Sequence, residues 1–338
     1  MKRRSFIKSV GTAATALSFH NCSVFNPINR YSNYKPKGVI PRRTLGKTGI
    51  KVSVLGFGSH LKKELIAKPE YRDRMIKLGF EGGINLFDVY DHSEYKQFIP
   101  MGKSLREFRK EAVISLVSVE KTKNMQTEID GALEDFKTDY IDLYRLYTVD
   151  DDKMNIIEKN KKAGKIRAIG VVEHNVDKIT AFLDRYGDSL DYVMIIYNFH
   201  HNKAILFKDH RANDFSNNYS KLIPRLEQMN LGIIGMKPMG SDAMIELART
   251  KKFFKNTKAN VAKAMLRYVY QRQEIDVTIP AMNSIEELIT NLESIYNPSL
   301  SSYEEHLLHE LSEIASSTQS AYLPDHYKWL EKWSSKTA

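Results

Sequence analysis

From about residue 54 to residue 295 the chain alternates two hydrophobic patterns. Short runs of consecutive apolar residues lie at 54–57, 84–87, 113–119, 140–146, 168–172, 192–197, 232–236 and 277–280. Unbroken apolar runs of this length are the mark of strands buried on both faces. Between them, apolar residues recur every three or four positions, which predicts helices over 71–80, 125–136, 154–163, 176–186, 222–229 and 261–270. A further helix over 284–293 would start at Ser284 as N-cap with Glu287 three residues on, a capping box. Residues 302–316 form one more amphipathic pattern, with Tyr303, Leu307, Leu308, Leu311 and Ile314 on one face. Eight strand-type runs separated by helices predict an α/β fold, a (β/α)8 TIM barrel with extra C-terminal helix. Residues 43–53 add an N-terminal β-hairpin turning at 47–49. A doubly wound open sheet is the competitor, but Gly56-Phe57-Gly58-Ser59-His60-Leu61 lacks the third glycine of a dinucleotide turn.

Composition changes the picture only at the N-terminus. The chain of 338 residues is 42% hydrophobic and 27% charged, an ordinary globular balance. Its net charge of +10 would suggest a polyanionic partner, yet Lys2, Arg3, Arg4, Lys8, Arg30, Lys35 and Lys37 stand in a stretch without acids. The body keeps so little excess that nucleic-acid binding is not expected. Arg3-Arg4-Ser5-Phe6-Ile7-Lys8, followed by an uncharged, weakly apolar stretch from Ser9 to Phe19, reads as a twin-arginine-type signal over 1–22. Ala14-Thr15-Ala16 offers small residues for cleavage. The implied partner is the twin-arginine export machinery and the implied location is the periplasm. The single cysteine, Cys22, rules out an internal disulfide framework and any cysteine-ligated metal site. Lipid attachment at Cys22 is the minority reading, because Phe19-His20-Asn21 is bulky for such a site. Residues 23–40 have linker composition and the barrel takes 41–338. No later apolar run approaches the ~20 residues of a membrane span.

The chemistry concentrates after the second strand. In Gly83-Ile84-Asn85-Leu86-Phe87-Asp88-Val89-Tyr90-Asp91-His92-Ser93-Glu94-Tyr95 an apolar strand runs into titratable side chains. The carboxyl ends of barrel strands form the active face. With a side-chain period of two, Asp88, Tyr90 and His92 would point together over the mouth. An imidazole is suited to proton transfer near neutral pH. His200-His201 and His210 lie in a polar stretch without the spacing of a metal site, so no metal is expected.

The motifs resemble the aldo-keto reductases from about Arg42 to Ile295. They are Arg43-Thr44-Leu45-Gly46, Leu55-Gly56-Phe57-Gly58, Gly83 to Asp88, Gly102-Lys103-Ser104-Leu105, Asp139 to Tyr144, Gly164 to Val171, Gly235 to Gly240, and Thr278-Ile279-Pro280, in that order. The resemblance implies hydride transfer between NADP or NAD and a carbonyl or alcohol, on a small-molecule substrate that could be sugar-like. It also implies a catalytic set of Asp, Tyr, Lys and His. Asp88 falls on the Asp. The Tyr place holds Ser93, flanked by Tyr90 and Tyr95. The Lys place holds Val117 and the His place Tyr147. A free phenol has a pKa of about 10 and needs a nearby cation to work at neutral pH; Lys121, Arg145 and Lys237 are the candidates.

For the cofactor, the resemblance implies His174, Asn175 and Tyr197 near the nicotinamide, and Lys237, Pro238, Met239 and Gly240 with Asn283 and Ser284 at the phosphates. Glu287 and Asn291 would face the adenine. Asn283 stands where the family often has a basic residue for the 2′-phosphate, which leaves NAD and NADP both open. Two readings follow: an oxidoreductase with a rebuilt site around Asp88, Tyr90, His92, Tyr95 and Tyr147, or a catalytically inactive barrel of this family that binds a ligand or nucleotide.

Overall fold

The structure is a computed structural model and describes residues 34–58, 68–89, 97–118, 124–200, 219–240, 248 and 260–317. The proposed signal segment, most of the linker and the tail beyond 317 lie outside them.

β1 (Arg42–Thr44) and β2 (Lys51–Ser53) pair antiparallel, with Arg43 opposite Val52. Their connecting turn is pressed against the barrel floor. Gly46 has φ 46°, and a Cβ on it would lie 2.2 Å from the Gly232 backbone nitrogen, so both the backbone conformation and the contact require glycine. Leu45, Ile50 and Val52 thereby join the barrel's interior cluster from below.

Seven parallel strands follow in sequence order: β3 (Leu86–Val89), β4 (Val113–Val117), β5 (Ile141–Leu146), β6 (Ile166–Val172), β7 (Tyr192–Ile196), β8 (Gly232–Met236) and β9 (Val277–Ile279). Residues 54–58 supply the eighth position. Leu55 bridges Thr278 and Phe57 bridges Phe87, both parallel, which joins β9 to β3. The bonds are ladder bonds: Phe57 N to Leu86 O at 2.8 Å, Asp88 N to Phe57 O at 2.9 Å, and Gly56 N to Thr278 O at 2.8 Å. Closure of this kind leaves no exposed strand edge. The expected barrel is therefore the observed one.

The helices are α1 (Pro69–Glu81), α2 (Phe98–Leu105), α3 (Met125–Phe136), α4 (Asp151–Lys162), α5 (Val176–Tyr186), α6 (Tyr219–Gln228), α7 (Val261–Tyr270), α8 (Ile285–Tyr296) and α9 (Ser302–Ser317). Asn124, Asp150, Asn175, Asn260 and Ser284 cap α3, α4, α5, α7 and α8 through their side chains. Each cap satisfies amide groups that the first helical turn leaves free. α2 has no counterpart in the expected pattern. Pro100 and Gly102 weaken its helical signal, but Pro100 sits in the first turn, where a missing N–H costs nothing.

α9 corrects one detail. Leu307, Leu308 and Leu311 are buried against Ala264 and Met265, as expected, but Tyr303 is 52% exposed. Glu304 takes the inward place in that first turn. Its carboxylate accepts from Arg267 at 2.5 Å and from the Ser301 amide at 3.0 Å.

Candidate active site

Inward side chains alternate along each strand. Leu86, Val113, Leu143, Ala168, Met194, Ile234 and Val277 belong to the apolar cluster inside the barrel. Into this interior the sequence inserts one acid and one base. Asp88 is the third residue of β3, and Ser115 on β4 is its register partner. Arg145 is on β5, paired in register with Val117. The guanidinium meets Asp88 end-on, through both terminal nitrogens: Nη1 lies 2.6 Å from Oδ1 and Nη2 donates to Oδ2 at 3.1 Å. Nη1 also donates to the Ser115 hydroxyl at 2.8 Å, and that hydroxyl donates to Asp88 Oδ1 at 2.9 Å. The two side chains are only 7% and 4% exposed. Two charges this deep are tolerated because the pairing is bidentate and the Ser115 hydroxyl bridges the two groups. Burial alone would pull the Arg145 guanidinium down; Asp88, with smaller contributions from Tyr192 and Tyr147, reverses this and holds it above its ordinary value.

In the same register row as Arg145, two strands on, lies Tyr192, fully buried. Its ring rests against Gly170, where a Cβ would come within 2.3 Å of the ring. The register runs from Arg145 through Gly170 to Tyr192, so the missing side chain on β6 is what lets the ring from β7 extend across β6 toward β5. Neither Arg145 Nε nor the Tyr192 hydroxyl has a hydrogen bond in good geometry. Burial drives this phenol well above the ordinary tyrosine range, against the pull of Arg145. Tyr192 is a neutral floor residue.

Just past the end of β5, Tyr147 is half-buried and packs against the interior cluster. Tyr90, His92 and Tyr95, and the cation candidate Lys121, lie outside the described residues.

The cofactor candidates divide by what their side chains already do. His174 is buried just beyond β6, its amide donating to Glu173 Oε1 at 2.6 Å. Asn175 caps α5, its Oδ1 accepting from Asp177 N at 2.7 Å and Lys178 N at 3.2 Å. Tyr197 turns away from the interior. Its hydroxyl donates to Glu274, in the segment between α7 and β9, at 3.2 Å, and its ring is tilted on Tyr219 with centroids 6.0 Å apart. The period of two explains this: Ile196 points in, so Tyr197 points out. Lys237, Pro238, Met239 and Gly240 form a tight turn after β8. Lys237 takes φ 54°, uncommon for a residue with a side chain, and its carbonyl accepts from Gly240 N at 2.9 Å and Asn198 Nδ2 at 3.2 Å. Met239 packs toward α7 and α9.

At α8 the capping box forms in a shifted version. Ser284 Oγ accepts from Glu287 N at 3.1 Å, while Glu287 Oε2 accepts from Asn283 N at 2.7 Å. The Tyr71 hydroxyl accepts from Ile285 N at 2.9 Å. Asn291 is buried, and its Nδ2 has no hydrogen-bond partner. That orphaned donor, with the polar Asn283 and Ser284 about two turns away at the start of the helix, fits the adenosine end of a dinucleotide. His200 Nδ1 lies 2.6 Å from Ser312 Oγ, tying the segment after β7 to α9; His201 and His210 lie outside the described residues. Among the described residues, no group of three His, Cys, Asp or Glu is placed to hold a metal, and no helix is long and apolar enough to cross a membrane.

The sequence profile of the aldo/keto reductase family matches residues 54–313. The chain belongs to the aldo/keto reductase family. L-galactose dehydrogenase of Arabidopsis thaliana is 22% identical over 294 residues, which cover 76% of this chain and 88% of that protein. Among solved structures, the holo form of an aldo-keto reductase from Bacillus halodurans superposes with TM-score 0.63 at 19% identity, covering 85% of this chain and 99% of that one. An aldo-keto reductase from Klebsiella pneumoniae in complex with NADPH gives TM-score 0.64 at 18% identity, with coverage of 85% and 99%. At such identities the superpositions speak for the fold.

Site residues that sequence reasoning left unplaced are Arg145, Ser115 and Tyr192. The one available signal was Arg145 itself, a charged residue at an inward position in the series Ile141, Leu143, Arg145, Tyr147. Its partner could be known only from the strand register.

Proposed function

We propose that this protein is an NAD(P)-dependent oxidoreductase that moves a hydride to or from a carbonyl or alcohol carbon, with a rebuilt set of acid–base residues. The observation that carries the reading is the buried Asp88–Arg145 pair at the place where this family keeps its acid. An ion pair inside an apolar barrel is a poor way to gain stability. It is a good way to keep a fixed charge near a reacting group.

When bound, the nicotinamide supplies or accepts the hydride. The chain's own residues do the rest. Asn291, Ser284 and Asn283 would hold the adenosine end. Lys237 to Gly240 would line the phosphates, and His174 and Asn175 the nicotinamide end, Asn175 with only its amide nitrogen since its oxygen is committed to the α5 cap. Proton transfer falls to Tyr147 or to Tyr90, His92 and Tyr95. The name of the Arabidopsis relative supports a sugar-like substrate.

The α8 terminus favours the nucleotide without a 2′-phosphate. Three of its amides are taken by the chain's own side chains, one of them by the Glu287 carboxylate, and Asn283 brings no charge. A phosphate there would meet an anion instead of free donors. The proposal includes export by the twin-arginine route, supported by Arg3-Arg4 and the uncharged stretch after them; a fusion of residues 1–40 to a reporter tests it, with loss of export on Arg3→Lys together with Arg4→Lys expected.

The direct test is to titrate purified protein with reduced nucleotide, reading intrinsic fluorescence, then to add assorted aldehydes and aldoses and follow oxidation of the nucleotide. Quenching with turnover is expected. Quenching without turnover on a broad substrate set would favour a barrel that only binds.

A further inference from the structure

We propose that Arg72 is the buried half of an oxyanion site beside the strand ends, taking the carboxylate or phosphate group of a small-molecule ligand. The inference deepens the oxidoreductase reading, since it makes the sugar-like substrate an acidic one, while binding itself stands apart from turnover. Arg72 lies in the first turn of α1 and is only 2% exposed. Arg74, two positions on, shows the ordinary fate of an arginine on this helix: its side chain is 30% exposed and lies 4.0 Å from Glu81. Arg72 turns the other way, onto the face of Met75, Ile76 and Gly79, which are all buried. A Cβ on Gly79 would lie 3.6 Å from the side chains of Ile84 and Phe57, so this face packs on β3 and on the strand at 54–58. The Gly79 carbonyl accepts from Ile84 N at 3.0 Å, which sets that end of α1 level with the start of β3. Arg72 is about 10 Å back along the helix axis. Asp88 is about 13 Å up the strand from Ile84. Helical side chains lean toward the N-terminus, which carries the guanidinium further toward the carboxyl ends of the strands. Those ends form the active face of a barrel.

What this cation lacks is an anion. Of the two buried arginines among the described residues, Arg145 has Asp88 and Arg72 has none. Its Nη1 is buried without a hydrogen-bond partner. The acids of the neighbourhood are engaged elsewhere: Asp73 with Lys77 at 3.2 Å, Glu81 with Arg74 and Asp88 with Arg145, while Glu70 is exposed. Burial pulls the guanidinium below its ordinary value, and no acid offsets it. A guanidinium stays charged at any working pH, so it cannot escape by losing its proton. A buried charge without a partner is what a packed interior tolerates least. A carboxylate or phosphate supplies both the missing charge and acceptors that match the planar fork; a neutral ligand or a metal cation supplies no such charge.

The test follows Tm of the full chain without nucleotide, at fixed ionic strength. The probes are inorganic phosphate, D-galacturonate and, as the uncharged match, D-galactose. Saturating anion should raise the wild-type Tm by about 2–4 °C, and galactose should leave it unchanged. Arg72→Met keeps the apolar stem and removes the charge. Without anion it should melt at or above the wild-type temperature, because the charge it removes has no partner to strand, and its anion response should vanish. Arg72→Lys should keep part of the response. No rise in wild type overturns the proposal, as does an equal rise in Arg72→Met, which would mean an adventitious ion only. A methionine variant that melts well below wild type without anion, or does not fold, overturns it too, since Arg72 would then be structural. Turnover identifies the source of the anion. The kcat/KM preference for galacturonate over galactose should fall about tenfold in Arg72→Met, the worth of one charge-assisted hydrogen bond, with NADH affinity unchanged. A fall in NADH affinity instead would assign the anion to the nucleotide and overturn the acidic substrate while keeping the site. Because the melts need no nucleotide, an anion response in a protein that oxidises none would defeat the oxidoreductase reading and leave the Arg72 site standing.

Discussion

Asp88 and Arg145 depend on one another for burial. Removing either alone leaves an uncompensated charge in an apolar interior, a loss of about 3–5 kcal/mol. Asp88→Asn and Arg145→Met should each cost that much in urea unfolding, and the double variant should cost less than the sum by about 1–3 kcal/mol. Additive costs would mean that the pair is not coupled in solution. Gly170 makes a second prediction at this scale. Alanine there collides with the Tyr192 ring and should destabilise by about 1–3 kcal/mol through overpacking. Tyr192→Leu should recover much of that loss. Residue identity revealed Asp88 from its motif, since an acid ending an apolar strand is conspicuous. It did not reveal Ser115, whose hydroxyl is meaningful only beside Asp88, or Tyr192, which looks like any aromatic in a core strand.

The elements were legible wherever pattern and cap agree. α3, α5 and α7 fall on the expected bounds because an apolar stripe begins directly after an asparagine that caps it. The β-hairpin was legible too, but its job as barrel floor was not, since that depends on contacts across the chain. Arg43 shows this. Its guanidinium donates to the carbonyls of Tyr270, Arg272 and Ile275 around the end of α7. Beside it, burial pushes Asp276 up to about 6, although the Ile233 and Gly46 amides and Arg43 pull the other way. The unfolded carboxyl titrates at about 3.9. The folded state thus holds its proton more tightly, so this group favours folding fully below about pH 4, and that contribution is lost as pH rises through about 6. From pH 4 to 7 it amounts to about 2–3 kcal/mol at most. Asp276→Asn should flatten the pH dependence of Tm in this window. A profile unchanged by the substitution would show that Asp276 is not the titrating group.

Across the whole molecule, closure brings together residues far apart in sequence: Asp88 from β3 meets Arg145 from β5 across the intervening β4. The barrel was readable because eight apolar runs in sequence admit few topologies. The pairing of Arg145 with Asp88 was not, because it depends on a register across β4 that a linear pattern does not give. Nucleotide choice belongs to this scale, since Tyr71 of α1 helps to close the α8 terminus. Fluorescence titration should give tighter binding of NADH than of NADPH. Asn283→Arg/Glu287→Gln should shift the ratio toward NADPH by about tenfold, the worth of one charge-assisted hydrogen bond. Equal affinities in wild type and variant would remove α8 from the phosphate site.

The most direct measurement mixes protein loaded with reduced nucleotide with a carbonyl substrate in a stopped-flow instrument and follows nicotinamide absorbance in a single turnover. Wild-type protein should oxidise its nucleotide, and Asp88→Asn should bind equally well but react at least a hundredfold more slowly, about 3 kcal/mol in the barrier. Failure of wild type to bind or oxidise any nicotinamide, or an Asp88→Asn trace that overlays the wild type, would contradict a redox site built on this buried pair.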